Sequence, residues 1–462
     1  MAVTNPLFRH SYDAGPRNSA PSLDAKLDEI LRAMDSASIK YCLLKGYDLL
    51  WHAGHKEIDL LVLPDQIPAL TNLLRSRQFA TLPAWGHSPH HFFVGYNESD
   101  GTWLKLDIVD AVRYGDPVRA LEIDITPELL RNRRHCPHGY VLAPEDEFFK
   151  LLLHCVLHEG EFTAQETSRL LELARAIDGD SKAPERLAHF IDTFLAPALT
   201  SEMLARMVEN GDFRPALAKR SAIFRHLFWT APFGNAWRWL STRILRASRP
   251  LLIAIHRRGM LVALLAPDGA GKTTLANQLA QDPFIKAQVI YMGSNEAAQT
   301  VGLDWILRLH RRFPAIAADE QGQRRPFLLR VINYALALTS HFHRINLALY
   351  HKLRGRFVVF DRYIYDSWIA GSNGAREPFR YRIFRVGWPA ADLVIALDAP
   401  GKLLYQRKHE HSPEWLENRR REYLQLKERL PDMKSVDAAR PRDEVLGDVL
   451  ALIWKNYAAT ER

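Results

Sequence analysis

Apolar and polar positions follow three rhythms along the chain. Between residues 23 and 143, a helical run, Leu23–Met34, precedes short apolar segments separated by turn residues: Tyr41–Gly46, Glu57–Val62 and Trp103–Val109. Segments of that length and composition predict strands. The stretch from Phe92 to Leu106 has Asn97-Glu-Ser-Asp-Gly101 at its centre, which predicts a hairpin and brings the Trp103–Val109 strand into one sheet. From Pro144 to about residue 257 the apolar spacing is helical, with breaks near Asp178–Pro184 and Thr230–Asn235. Pro144 followed by Glu145, Asp146 and Glu147 is a favourable helix start, with acids in the positive first turn. From Gly259 onward the strand-like runs Met260–Ala266, Gln288–Tyr291, Phe357–Phe360 and Leu393–Leu397 alternate with helical segments. That alternation predicts an α/β domain with a parallel sheet flanked by helices.

These rhythms divide the 462 residues into a loose tail (1–22), an α+β domain (23–143), a helical linker or bundle (144–257) and a second α/β domain (258–462). The tail is polar, with Pro6, Pro16 and Pro21, and reads as neither signal peptide nor membrane anchor. A content of 47% apolar and 25% charged residues describes a soluble globular chain. Its three cysteines, Cys42, Cys136 and Cys155, are too scattered for a disulfide framework, so a cytoplasmic location is expected. No apolar run is long enough for a transmembrane segment. The net charge of +8 suits polyanionic partners and leaves nucleic acid open as one; a homodimer is also left open.

The densest chemistry lies at Ala266-Pro-Asp-Gly-Ala-Gly-Lys-Thr-Thr274, between an apolar strand and a helical segment. A glycine-rich turn there directs successive backbone N–H groups at an anion, beside a helix N-terminus. Gly269, Ala270, Gly271, Lys272, Thr273 and Thr274 are the expected cradle for ATP, with Lys272 on the β/γ-phosphates and the Thr273 hydroxyl on Mg²⁺. Ala266 stands where the full motif has its first glycine. The run Gly355–Phe360 leads into Asp361-Arg362-Tyr363. A carboxylate at that strand end is placed to hold Mg²⁺, and the adjacent arginine to bridge phosphoryl oxygens.

Asp268-Gly-Ala-Gly-Lys-Thr-Thr274 followed about 90 residues later by Asp361-Arg-Tyr363 resembles the thymidylate kinase group of P-loop kinases. Pro389–Asp398, then Arg407 and a charged segment, is similar to that family's late strand and lid, so the likeness spans roughly 259–462. It implies an ATP- and Mg²⁺-dependent kinase. Lys272 and Thr273 would then take the phosphate and metal positions, Asp268 the loop carboxylate near the acceptor's sugar, Asp361 and Arg362 the catalytic pair, and Arg407 a lid cation. Arg344 is a candidate for the acceptor phosphate. The likeness departs after Asp361: Asp366 replaces the usual serine, and Gly371 lies near where an amide would read thymine. Arg419–Arg421 read more simply as a solvated helix with i,i+4 pairs such as Glu417 with Arg421.

In the first domain, Glu57 and Asp59 share one face of their strand, and Asp107 on a neighbouring strand completes a three-carboxylate set for metal ions. Gly46, Glu57-x-Asp59 and Asp107 resemble the minimal nucleotidyltransferases related to polymerase beta, with Tyr47 replacing their usual small residue. His87, His90 and His91, and His135, Cys136 and His138, lack zinc-site spacing, so no zinc is expected. His154 and His158 read as an ordinary helix face. The basic aromatic stretch Trp237–Arg249 is expected to pack its apolar side into the core and leave a basic outer face, an anionic membrane surface being the other arrangement.

Together these residues point to a phosphotransferase joined to a nucleotidyltransferase-like domain, bifunctional on a nucleotide or sugar-phosphate acceptor. An ATP-binding regulatory or assembly protein with degenerate sites is the alternative, motivated by Ala266, Asp366 and Tyr47. Nucleotidyl modification of RNA or protein by the first domain is a third.

Overall fold

The computed structural model describes residues 25–44, 57–137, 139–256, 259–291, 339, 342–370 and 389–460. The tail, Gly46, Tyr47, His138, Gly371 and most of the stretch before Phe342 lie outside them. The chain forms two compact units, Met1–Arg249 and Pro250–Thr460.

The first unit is built on a seven-stranded mixed sheet of order β3-β4-β5-β2-β1-β9-β8. Its strands are β1 (Tyr41–Leu43), β2 (Glu57–Val62), β3 (Ala80–Leu82), β4 (His90–Asn97), β5 (Thr102–Val109), β8 (Arg134–Cys136) and β9 (Gly139–Val141); β6 (Val112–Tyr114) and β7 (Leu121–Ile123) pair separately. Alternation along β2 decides what each face does. Ile58, Leu60 and Val62 join a core with Leu27, Ile30 and Met34 of α1 (Ala25–Ser36) and with Leu70 and Leu74 of α2 (Ile67–Ser76). Leu61 points the other way, into a core shared with the helices that follow residue 143. Glu57 and Asp59, at the same alternation as Leu61, therefore open on that second face. The expected hairpin is present as β4 and β5, antiparallel from His90↔Val109 to Asn97↔Thr102.

The helical residues after 143 are part of this unit. After α3 (Thr126–Asn132), α4 (Pro144–His154) carries Phe148, Phe149, Leu152 and Leu153, all wholly buried, and packs on α5 (Ala164–Asp178) and α6 (Ala183–Phe194), which α7 (Ser201–Asn210) and α8 (Arg214–Ala218) follow. Its first-turn acids do more than favour the helix N-terminus. Glu145 and Asp146 are fully buried, and Arg186 of α6 lies 2.8 Å from the Glu145 carboxylate and 3.4 Å from that of Asp146. Burial pushes the Asp146 carboxyl up to about 7, although Arg186 pulls the other way. Arg186→Met would leave buried Asp146 without its cation and buried Glu145 with only Arg134, 3.8 Å away, and is expected to cost about 3 kcal/mol in chemical denaturation at neutral pH. The raised Asp146 pKa stabilises the fold below about pH 4 and loses that contribution as pH rises to about 7. Asp146→Asn should flatten the stability profile over that window; an unchanged slope would contradict the assignment.

The second unit has a five-stranded sheet, every pair parallel, of order β11-β12-β10-β13-β14. It comprises β10 (Met260–Leu265), β11 (Gln288–Tyr291), β12 (Phe357–Asp361), β13 (Leu393–Asp398) and β14 (Lys434–Asp437). Four of these strands follow the predicted runs; β14 is short, polar and largely exposed, so its pattern carries no strand signal. Every residue of β10 is buried, as a central strand covered on both faces requires. The chain leaves β10 for a glycine turn and then α11 (Lys272–Gln281), while β12 runs beside β10 with Leu264 opposite Asp361. Ligands in open parallel sheets bind beyond the strand C-termini where the strand order reverses, here between β10 and β12. No helix among the described residues is long and apolar enough to cross a membrane.

Candidate active sites

In the second unit, Gly269 and Gly271 hold φ of +88° and +89°, and a Cβ on Gly269 would stand 2.7 Å from the Leu404 carbonyl oxygen. Those two positions need glycine. Ala266 is absent from the positive-φ positions, so a methyl group in place of the motif's first glycine leaves the turn intact.

Lys272 opens α11 with its side chain 7% exposed and folded back along the turn. Its ammonium donates to the carbonyls of Ala266 at 2.7 Å and Pro267 at 2.9 Å, with Asp268 4.0 Å away. Burial lowers its pKa, against the pull of Asp366 and Asp268. The Thr273 hydroxyl donates to the Asp361 carboxylate at 2.5 Å, which joins the start of α11 to the end of β12, and Asp361 is 2% exposed. Arg362 follows in a left-handed conformation, φ +70°, and donates to Asp268 at 2.5 Å. Burial alone would raise the Asp268 carboxyl, but Arg362 and Lys272 outweigh it and hold the group below the usual range.

Above this turn lies a cavity of about 810 Å³ lined by residues 268–275, Asp361 and Arg362, and by the cations Arg407, Lys408, Arg440 and Arg442. Arg407 sits in the last turn of the helix Gly401–Lys408 and donates to the Ala438 carbonyl at 2.9 Å. Arg344 is half-buried and its pKa is lowered by burial, unlike a solvated helix charge. Arg420 also departs from a purely solvated helix, since it pairs with Asp398 at the end of β13 and with Glu417 at 2.8 Å. Arg421 does approach Glu417, at 3.6 Å.

Asp366 stands out in the sequence as a departure, but its partner Tyr423 carries no sequence signal beyond its type. The Tyr423 hydroxyl donates to Asp366 at 2.8 Å, while the second Asp366 oxygen is buried and has no hydrogen-bond partner among the described residues. Burial raises the Asp366 carboxyl, opposed by Lys272 and then by the Tyr423 hydrogen bond.

In the first unit, β2 and β5 run parallel with Asp59 opposite Asp107 and Glu57 opposite Lys105. One carboxylate oxygen each from Glu57, Asp59 and Asp107 lies within 4.8 Å of the others. Around them, His90 Nδ1 lies 2.7 Å from Asp107, the Arg119 guanidinium meets the other ring nitrogen, and Lys105 pairs with Glu57 while lying 4.8 Å over the Phe92 ring. An Arg119 donor fixes His90 as the Nδ1–H tautomer, whose proton points at Asp107. The hairpin register held the clue to His90. Phe92 faces Asp107, which makes His90 the diagonal neighbour on the same face. A cavity of about 470 Å³ opens over the three acids and is also lined by Arg113, Lys150, His154 and His158. The last two histidines are thus cavity residues as well as helix residues: His154 lies 3.2 Å from Glu159, and His158 3.2 Å from the Gly115 carbonyl.

No family model matches the chain. It is 26% identical over 208 residues to a probable thymidylate kinase of Pyrococcus horikoshii, covering 42% of this chain and 96% of that protein. It is 27% identical over 210 residues to a probable thymidylate kinase of Thermococcus onnurineus, covering 42% of this chain and 97% of the relative. A solved thymidylate kinase from Candida albicans shares 18% identity, covers 43% of this chain and 94% of its own, and has a TM-score of 0.32. The likeness therefore spans almost the whole of each relative and under half of this chain. It supports a thymidylate-kinase-like kinase part.

Proposed function

We propose that the second unit transfers the γ-phosphoryl group of ATP to a phosphate-bearing acceptor of the nucleotide or sugar-phosphate class. The observation that carries this reading is the bond between Thr273 and Asp361. It unites a phosphate-binding turn and a strand-end carboxylate beneath a cavity rimmed by cations. A hydroxyl and a carboxylate in contact are a hard-oxygen set suited to Mg²⁺, which when bound would neutralise charge on the phosphates. Lys272 would move from its carbonyl partners to phosphate oxygens. Arg362, held by Asp268, would orient between donor and acceptor, and Arg407 would face the charge spread over the transferred group. The relatives' name makes a thymidylate-type acceptor one member of the class. Asp366, whose second oxygen has no hydrogen-bond partner among the described residues, would favour an acceptor that offers it a hydroxyl or N–H donor.

The first unit is read as a nucleotidyltransferase-like domain whose Glu57, Asp59 and Asp107 would hold Mg²⁺ beneath a triphosphate, with Arg113, Arg119 and Lys150 near its phosphates. The two activities would act on one metabolite in sequence, one in each compact unit. The test is an acceptor panel of dTMP, other nucleoside monophosphates and sugar phosphates, with ATP and Mg²⁺, read by phosphorylated product. Transfer to at least one member at well above the rate of ATP hydrolysis is expected. Tight ATP binding with no transfer to any would favour the regulatory alternative.

A further inference from the structure

The long helix α10 (Pro232–His256), which follows α9 (Arg220–Thr230), presents its polar side to the first unit and its apolar side to solvent. The inward side is Asn235, Arg238, Thr242 and Arg246. Asn235 donates to the carbonyls of Leu227 at 3.1 Å and Phe228 at 2.9 Å, and Arg238 lies 3.0 Å from Glu122. Arg246 donates to the carbonyls of Gly86 at 2.9 Å and Pro117 at 2.7 Å. The outward side is Phe233, Trp237, Leu240 and Ile244, spaced by four, three and four residues. These are 90%, 67%, 46% and 55% exposed, and Trp229 at the end of α9 is 67% exposed. That spacing makes one continuous apolar stripe along a helix. The arrangement reverses the core packing expected of Trp237–Arg249, because here the polar side chains are the ones anchored in the body.

Charge says what should cover the stripe. No acidic residue occurs between Asp212 and Asp268, whereas ten lysines and arginines do, more than the net charge of the whole chain. Arg243 lies 4.7 Å over the Trp239 ring, keeping a cation at the edge of the apolar strip. Apolar rings flanked by cations suit the boundary between headgroups and acyl chains of an anionic bilayer. A second copy would bring two acid-free basic stretches face to face, and nucleic acid has no use for the apolar stripe. Four arginines within its 25 residues keep the helix from crossing the bilayer.

We propose that this apolar face of α9 and α10 docks on an anionic lipid surface, with α10 parallel to the membrane plane. The full chain is mixed with vesicles of phosphatidylglycerol and phosphatidylcholine, or of phosphatidylcholine alone, and floated. Binding to the anionic vesicles, weakened by salt and accompanied by a blue shift of tryptophan fluorescence, is expected. Binding to neutral vesicles should be at least about tenfold weaker. The double variant Phe233→Ser, Trp237→Ser changes exposed positions, so its circular dichroism should match the parent, yet its binding should fall at least about tenfold. Four results would each overturn the proposal: no flotation, equal binding by the double variant, equal binding to both vesicles, or a dimer in solution that the double variant abolishes. Retention on RNA in place of vesicles would do the same.

Discussion

Lys272→Ala should reduce ATP-dependent phosphoryl transfer by about three orders of magnitude, roughly 4 kcal/mol of transition-state stabilisation. The size follows from where the ammonium lies. It is 7% exposed, so its charge acts through little water, and its two partners are neutral carbonyls that exchange readily for phosphate oxygens. Phosphoryl transfer asks the protein mainly for positioning and charge neutralisation, and a methyl group supplies neither. Burial that lowers the Lys272 pKa costs the nucleotide-free protein some stability, so the variant's thermal unfolding temperature without nucleotide should be unchanged or slightly higher. ATP, by contrast, should raise that temperature in the parent and far less in the variant. The measurement is initial-rate transfer to the best acceptor of the panel, with thermal unfolding run alongside. A variant rate within about threefold of the parent would remove the phosphate turn from the chemistry.

What was legible beforehand follows a physical line. Strands buried on both faces announce themselves as apolar runs, and β10, β12 and β13 fell within a residue or two of expectation. β2 matched residue for residue, because polar and apolar residues alternate over Glu57–Leu60 and the strand then closes on the apolar run Leu60–Val62. Short strands such as β3, β6 and β8 hold three residues each, too few for any period. In the sites, the turn and the carboxylates were visible because they are dense in a few residue types at fixed spacing. Their supporting groups were not. Arg119, which meets His90, lies 29 residues further along the chain, and Tyr423, which meets Asp366, 57. Such pairs are set by tertiary packing, to which local pattern is blind. The α10 stripe faces away from the core, against expectation, for a related reason. A helix whose residues divide into an apolar and a basic side does not say which side faces the protein; the hydrogen bonds of Asn235 and Arg246 decide that.

Asp107→Asn should abolish the nucleotidyl transfer proposed for the first unit, a fall of at least about a thousandfold, while leaving the phosphoryl transfer proposed for the second within about twofold. The Asp107 carboxylate is the hub of its cluster. It lies opposite Asp59 across the β2–β5 ladder, its oxygens approach those of Glu57 and Asp59, and His90 holds it at 2.7 Å. An amide keeps the shape but removes one negative charge of three and offers a single oxygen, which weakens any divalent ion bound there. Mg²⁺ or Mn²⁺ should then stabilise the parent and not the variant, a readout that does not require turnover. His90→Gln, which keeps a donor but loses the ring held by Arg119, should lower transfer less than Asp107→Asn and leave metal-dependent stabilisation largely in place. Equal stabilisation of parent and Asp107→Asn by the ion would mean that the three carboxylates bind no metal, leaving the first unit without the centre the proposed chemistry requires.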